Sequence, residues 1–490
     1  LAITTPPQEF TDRYRPLIGT DDWADFFAKL QQPLPAGLRY HSGRIDQAAF
    51  NQIAISLGWE LSPVPWCQNG YWLRGERLEQ SVSKSWPFFA GLVYLQESAS
   101  MLPVRLLDAK PGENILDMSA APGSKSTQIA QAMRGQGLLV ANDKDHKRSK
   151  ALVFNLEKYG SLNSVVTTYD GKELGNLLPE QFDRVLLDAP CSAEGAAQKD
   201  REYFRHWSPR TIEQLSKLQR ALLLSAIKSC KVGGTIVYST CTLAPEENEG
   251  NIDWLLREYS DYIEIDSITP GRNCPEASSG IVKWQGKDYL PEINNTLRLL
   301  PHRSGAEIFF VARLRKIASF RPTSEKQSVS RKHSTTHNPW LGDSKSIRKV
   351  LLPQIEERFG IAQSVFDHYR IATRQSDYWL VPAAIVGLPE ALHVDRAGIP
   401  LARATRRDYR ISFPFALNFG DLAVKNFVEL NEQQMAQYIS GQSPLLIAEQ
   451  IETLSPGQVI VRYRGYSLGR ALFSGKAQLK SQVKRAFVIL

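Results

Sequence analysis

The chain has 490 residues, with 59 Lys and Arg against 51 Asp and Glu, a formal net charge of +8. Apolar residues make up 42% and charged residues 22%, which excludes a disordered or fibrous chain and predicts about three domains. Apolar runs fall short of the ~20 residues of a membrane helix, so no membrane partner is expected; the mild basic excess suits a polyanion such as nucleic acid.

The cysteines are Cys67, Cys191, Cys230, Cys241 and Cys274, an odd number with no Cys-x-x-Cys. Neither a disulfide framework nor a metal site is expected, and a reduced cytoplasmic setting fits. Residues 1–14 lack a basic segment followed by an apolar one, so a secretory signal is not expected. Leu1 is not Met, so the translational start is expected upstream or at an unusual codon.

Residues 1–91 read as a small mixed α/β region, with short apolar patches at 23–30, 38–40 and 59–66 broken by Pro and Gly. From 92 to 316 strands and helices alternate. Strands are expected at 114–118, 138–143, 164–170, 182–188, 234–240 and 307–313; helices are expected at 124–133, 145–159, 211–230 and 245–259. That pattern predicts a largely parallel sheet flanked by helices, with ligands beyond the carboxyl ends of the strands. Residues 317–339 read as a basic linker. Between Arg313 and Lys349 stand ten Lys or Arg and two acids, a composition shared by solvated linkers and by arms that touch phosphates. Residues 340–490 read as a separate mixed α/β unit. Basic and aromatic residues interleave at 403–409 and 462–470, which suits looped RNA and equally a core with a charged surface.

Ser119, Ala120, Ala121, Pro122, Gly123, Ser124 and Lys125 follow the first strand of the alternating region and open a helix. Small side chains let the backbone approach a ligand, and the helix start offers free N–H groups. The loop is neither Gly-x-Gly-x-x-Gly nor a Gly-Lys-Ser/Thr phosphate loop, which disfavours a dinucleotide or a nucleoside triphosphate. Asp143 ends the next strand, 20 residues after Gly123, where a carboxylate can accept both ribose hydroxyls. Asp170 ends the third strand, within reach of an adenine amino group. Together these describe an adenosine-type ligand; the alternative is that both acids only cap the next helix or turn.

The fourth strand ends Asp188-Ala189-Pro190-Cys191-Ser192 and the fifth ends Ser239-Thr240-Cys241-Thr242, which puts a thiol at or just past each carboxyl end. Alkylating carbon 5 of cytosine needs such equipment. A thiolate adds to carbon 6, an acid hydrogen-bonds ring nitrogen 3, and the resulting enamine attacks a methyl sulfonium. Asp188 is placed for the acid's role, and a thiol of ordinary pKa ~8.5 needs help from its surroundings to react. The alternative is that both cysteines are buried core residues. Cys230 falls in a helical apolar pattern and is expected in the core.

These motifs, with Tyr94-Leu95-Gln96-Glu97-Ser98-Ala99-Ser100 ahead of the first strand, resemble the Sun/Nop-type RNA cytosine-5 methyltransferases over about 92–316. Lys199-Asp200 and Trp207-Ser208-Pro209 match that family's pattern, with Arg201 where many relatives have Pro. The resemblance implies a Rossmann-like sheet of about seven strands. It implies that residues 119–125, Asp143, Asp170 and Asp188 contact S-adenosylmethionine. It also implies that Cys241 is the nucleophile and that Cys191 helps to release the product. The layout outside that range is similar to the bacterial small-subunit ribosomal RNA methyltransferases of the F type. That similarity implies an N-terminal RNA-binding region, a C-terminal PUA-like RNA-binding domain, and 16S ribosomal RNA as substrate ahead of transfer RNA. Two further readings stay open. One is a DNA cytosine-5 methyltransferase attacking through Cys191, against which Thr240-Cys241 argues. The other is a non-catalytic RNA-binding ribosome assembly factor, against which the intact acids and thiols argue.

Overall fold

The computed structural model describes residues 6–75, 78–199, 202–205, 207–268, 270, 274, 276–320, 338–406 and 408–488. Helices α1 (Gln8–Ile18) and α2 (Thr20–Leu30) bury Phe10, Tyr14, Trp23 and Phe26 against the central core. The antiparallel strands β1 (Gly37–Tyr40), β2 (Glu60–Pro63), β3 (Gly70–Arg74) and β4 (Val93–Leu95) form a sheet in the order β2-β3-β1-β4. The boundary expected after residue 91 falls within this region. It cuts this sheet, since Leu38 lies opposite Leu95 across the β1–β4 pairing.

Aliphatic and β-branched runs bounded by turn residues set the central strands. They are β5 (Asn114–Asp117), β6 (Leu138–Asn142), β7 (Ser164–Thr167), β8 (Phe182–Asp188) and β9 (Cys230–Thr240). All five are parallel, in the order β9-β8-β5-β6-β7. The chain steps outward from β5 to β7, then returns to β8 on the other side. That reversal opens a crevice beyond the ends of β5 and β8. Phe309–Lys316 extends the sheet antiparallel to β9, and Leu297–Leu299 pairs with it in turn.

The architecture is Rossmann-like. Ten strands join this sheet among the described residues, where about seven were implied. The additions are the short segments Ile263–Ile265, Ser278–Ser279 and Arg396–Ala397. Strand side chains alternate between faces. Ile115, Leu139, Leu186 and Val237 fill one core cluster, while Leu116, Val140, Val185 and Ile236 fill the other. All eight are fully buried, and each contributes about 1.5–3 kcal/mol by leaving water.

Two helices differ most from expectation. The helix expected over 211–230 is Pro209–Ser229, started by a Ser208 cap on the Thr211 N–H. Cys230 is extended and opens β9, because Gly233 and Gly234 weaken any continued helix; it is fully buried. The helix expected from 245 begins at Glu249, because residues 245–248 form a turn closed by the Gly250 N–H on the Pro245 carbonyl.

The C-terminal part holds two four-stranded sheets. One comprises Tyr369–Arg374, Asp377–Pro382, Ile399–Ala404 and Tyr409–Ile411; the other comprises Phe427–Glu429, Gly457–Tyr463, Tyr466–Phe473 and Lys480–Ser481. The unit expected over 340–490 packs on the rest of the chain. Arg396–Ala397 pairs with β7, and Trp379 and Val381 join the central core. Phe413, Val459 and Tyr463 share a core with Phe50 and Trp86 of the N-terminal region. The pairing covers what would be an open edge at β7. Within the expected linker, residues 321–337 lie outside the described residues. Among the described residues no helix is long and apolar enough to cross a membrane.

Candidate active site

The two cysteine-bearing loops meet because β8 and β9 are parallel neighbours, with Asp188 beside Ser239. Cys191 Sγ and Cys241 Sγ lie 3.5 Å apart. The loops are locked by Ser192 Oγ to Thr242 Oγ1 at 2.7 Å and by the Gly195 N–H on the Cys241 carbonyl at 2.9 Å. The pKa of Cys191 is pushed well above the ordinary thiol range, first by its hydrogen bond with Cys241 and then by burial.

Both cysteines line a cavity of about 240 Å³ beyond the strand ends, shared with Ser119, Ala121, Asp143, Asp170 and Asp188. The loop residues expected at the cofactor thus divide. Ser119 and Ala121 face the cavity; Ala120, Pro122, Gly123, Ser124 and Lys125 are not among its lining. Gly123 sits at φ +111, a conformation that a side chain would strain, and starts the helix Ser124–Ala132. Lys125 acts one layer back. Its Nζ donates to Asp188 Oδ2 at 2.6 Å, and Ser239 Oγ donates to Asp188 Oδ1 at 2.7 Å. Burial works against the Lys125 charge, but the neighbouring Asp188 outweighs it and the pKa is raised, so the ammonium persists.

Asp143 is buried, accepting the Ala121 N–H at 3.1 Å and the Asp145 N–H at 3.0 Å. A carboxylate has about four lone-pair sites, so roughly two remain for ligand hydroxyls. Asp170 both lines the cavity and caps the helix Gly171–Leu177 through the Lys172 N–H.

Further residues surround the site, and Asn142, Lys144, Arg148, Glu194 and Glu247 among them carry no sequence signal. Asn142, Lys144 and Arg148 line the cavity, and Arg148 Nη2 donates to the Ala121 carbonyl at 2.6 Å. Glu194 is fully buried and accepts from Tyr14 Oη, Trp207 Nε1, Thr242 Oγ1 and the Leu243 N–H, all at 2.6–2.8 Å. Glu247 accepts from Gln219 Nε2 at 2.6 Å and the Ser192 N–H at 3.0 Å; burial pushes its pKa to about 7. Asp117, at the end of β5, is pushed to about 7 by burial and accepts from Ser126 Oγ. Lys199 pairs with Glu97 and Glu307, which ties the loop after Cys191 to the segment before β5. Asp200 and Arg201 lie outside the described residues.

A family model described as 16S rRNA methyltransferase RsmB/F matches residues 104–315, and one described as the N-terminal domain of 16S rRNA methyltransferase RsmF matches residues 7–98. A protein of Aeromonas hydrophila named ribosomal RNA small subunit methyltransferase F is 36% identical over 468 residues, covering 95% of this chain and 93% of its own. The chain belongs to this family. A Vibrio cholerae protein of the same name is 34% identical over the same shares. A solved methyltransferase homolog from Pyrococcus horikoshii, 33% identical, superposes with a TM-score of 0.57 over 64% of this chain and 95% of its own. The structure of NSun6 from Pyrococcus horikoshii with SFG, at 23% identity and TM-score 0.54, shares the fold.

As a member of the methyltransferase F family, the protein is an RNA methyltransferase whose methyl donor is S-adenosylmethionine. The site fits that donor. Asp143 keeps acceptor capacity for a ribose, Asp170 is open to the cavity, and Met118, Leu218 and Leu222 supply apolar wall.

Proposed function

We propose that the protein methylates carbon 5 of a cytosine in small-subunit ribosomal RNA, with Cys241 as covalent nucleophile and Cys191 promoting release. The observation that carries this reading is the pair of sulfurs 3.5 Å apart, lining one cavity with Asp143 and Asp188. Residues 119–125, Asp143 and Asp170 hold S-adenosylmethionine, some by lining the cavity and some by shaping its wall. Bound there, S-adenosylmethionine supplies an electrophilic methyl group.

The chain's own residues prepare the base. The Cys241 sulfur adds to carbon 6, and the electron pair of the 5,6 double bond moves toward carbon 5 and ring nitrogen 3. Asp188, held as a carboxylate by Lys125 and Ser239, can accept from the exocyclic amino group at the ring edge, and the Lys125 ammonium behind it offsets the negative charge that develops on the ring. Once carbon 5 is methylated, its proton passes to a base, the carbon–sulfur bond breaks, and the Cys241 sulfur leaves with the bonding pair. Cys191 retains its proton and can donate a hydrogen bond to that departing sulfur. A cytosine inside a helix must be extruded to reach the thiol, so the target is a looped or flipped base.

The N-terminal region and the C-terminal part, which we read as PUA-like, pack on each other through Phe50, Trp86, Phe413 and Val459 and bind RNA. Bisulfite sequencing of 16S ribosomal RNA incubated with protein and S-adenosylmethionine tests the product. A discrete cytosine is expected to become bisulfite-resistant. Methyl incorporation with no resistant cytosine would overturn the reading.

A further inference from the structure

A second cavity, of about 500 Å³, lies where the helix His146–Lys158 meets the C-terminal part. Its lining includes Arg396, Arg403, Arg410, Arg470 and Lys484 against two acids, Glu157 and Asp377. Asp377 is engaged by Arg403 in a two-pronged pair at 2.5 and 2.8 Å. With both acids ionised, an excess of three positive charges remains. Glu157 is poorly suited to neutralise it, because burial raises its pKa despite Lys484 and Arg396.

The cations are also under-partnered. Arg470 donates through Nη1 to Gln458, but its Nε is buried with no acceptor among the described residues. Burial and then the nearby Arg410 pull the Arg470 pKa down to about 10. Arg396 lies over the Trp379 ring at 5.3 Å, and Trp379 Nε1 is likewise buried without an acceptor. Buried donors without acceptors are costly, and like charges crowded together repel. An oxyanion in the cavity relieves both. Guanidinium groups suit phosphate because their planar N–H pairs match its oxygens.

We propose that this cleft is a phosphate site that takes a backbone phosphate of the RNA substrate. The same helix serves both cavities. Arg148 lines the methyl-transfer cavity and Glu157 lines this one, roughly 14 Å further along the helix axis. An RNA strand gripped here is held on the body that carries the strand ends, since Arg396 also pairs with β7. The proposal rests on the reading of the C-terminal part as RNA-binding.

The test compares the full chain with Arg410→Ala/Lys484→Ala, both at exposed positions. The probes are 16S ribosomal RNA across a salt series and inorganic pyrophosphate. The double variant is expected to lose RNA affinity roughly tenfold, with the log–log salt slope shallower by about one. S-adenosylmethionine binding and melting temperature should be unchanged. Arg410→Gln alone should give about half the slope change. Unchanged RNA affinity with lost pyrophosphate binding would keep the phosphate site but assign it to a free phosphate compound. No change with either probe overturns the proposal. If the unaltered chain has no RNA affinity, the RNA-binding reading itself fails; if it binds RNA and the variants bind both probes equally, only the cleft assignment fails.

Discussion

Cys191 and Cys241 share one hydrogen bond; that bond and then burial raise the Cys191 pKa, so its thiol keeps its proton at neutral pH. Beside them Lys125 and Asp188 form an ion pair, with side chains 10% and 27% exposed. Lys125→Met leaves the carboxylate without its cation. Breaking a fully buried pair costs about 3–5 kcal/mol; partial exposure of Asp188 reduces that to roughly 1–3 kcal/mol, readable by urea unfolding. Activity is expected to fall roughly 10²-fold, measured at saturating donor. Asp117 makes a pH prediction. Its pKa rises from about 4 in the unfolded chain to about 7 on burial, so the folded chain holds the extra proton in that window. Stability therefore falls as pH rises from about 4 to about 7, and Glu247 acts in the same direction. Asp117→Asn is expected to flatten this decline in a pH series of unfolding midpoints; an unchanged slope would contradict the assignment.

At the scale of elements, Glu194 joins three pieces of chain. It accepts from Tyr14 on α1, from Trp207, and from Thr242 and Leu243 just past β9. Glu194→Ala removes the acceptor of four donors, and each one left buried without a partner costs about 1–3 kcal/mol. The variant is expected to lose several degrees in melting temperature and to lose activity as the Cys241 loop loosens; Glu194→Gln should recover part of both. None of this was legible in the sequence, because a lone acid in a loop reads as surface. The parallel strands were legible because β5 to β9 are apolar runs ended by Asp117, Asn142, Thr167, Asp188 and Thr240. Strand ends shifted by a few residues where turn hydrogen bonds, invisible to periodicity, stop the ladder. The two-thiol constellation was legible because each cysteine follows such a run.

For the whole molecule, the least legible feature is how the outer parts close on the core. Pairing of Arg396–Ala397 with β7, and the packing of Phe413 and Val459 with Phe50 and Trp86, join residues hundreds of positions apart. Local pattern carries no trace of such pairings, which is why the ends read as separate units. A chain ending at residue 320 would expose the β7 edge and the apolar surface that Trp379 and Val381 cover. It is expected to show lower soluble yield and a lower melting temperature than the full chain, checked by size exclusion and thermal unfolding.

The covalent step is tested most directly by denaturing electrophoresis of protein incubated with 16S ribosomal RNA and S-adenosylmethionine. Cys191→Ala is expected to accumulate a protein–RNA adduct, and Cys241→Ala to form none. An adduct that persists without Cys241, or one that requires Cys191, would contradict the account.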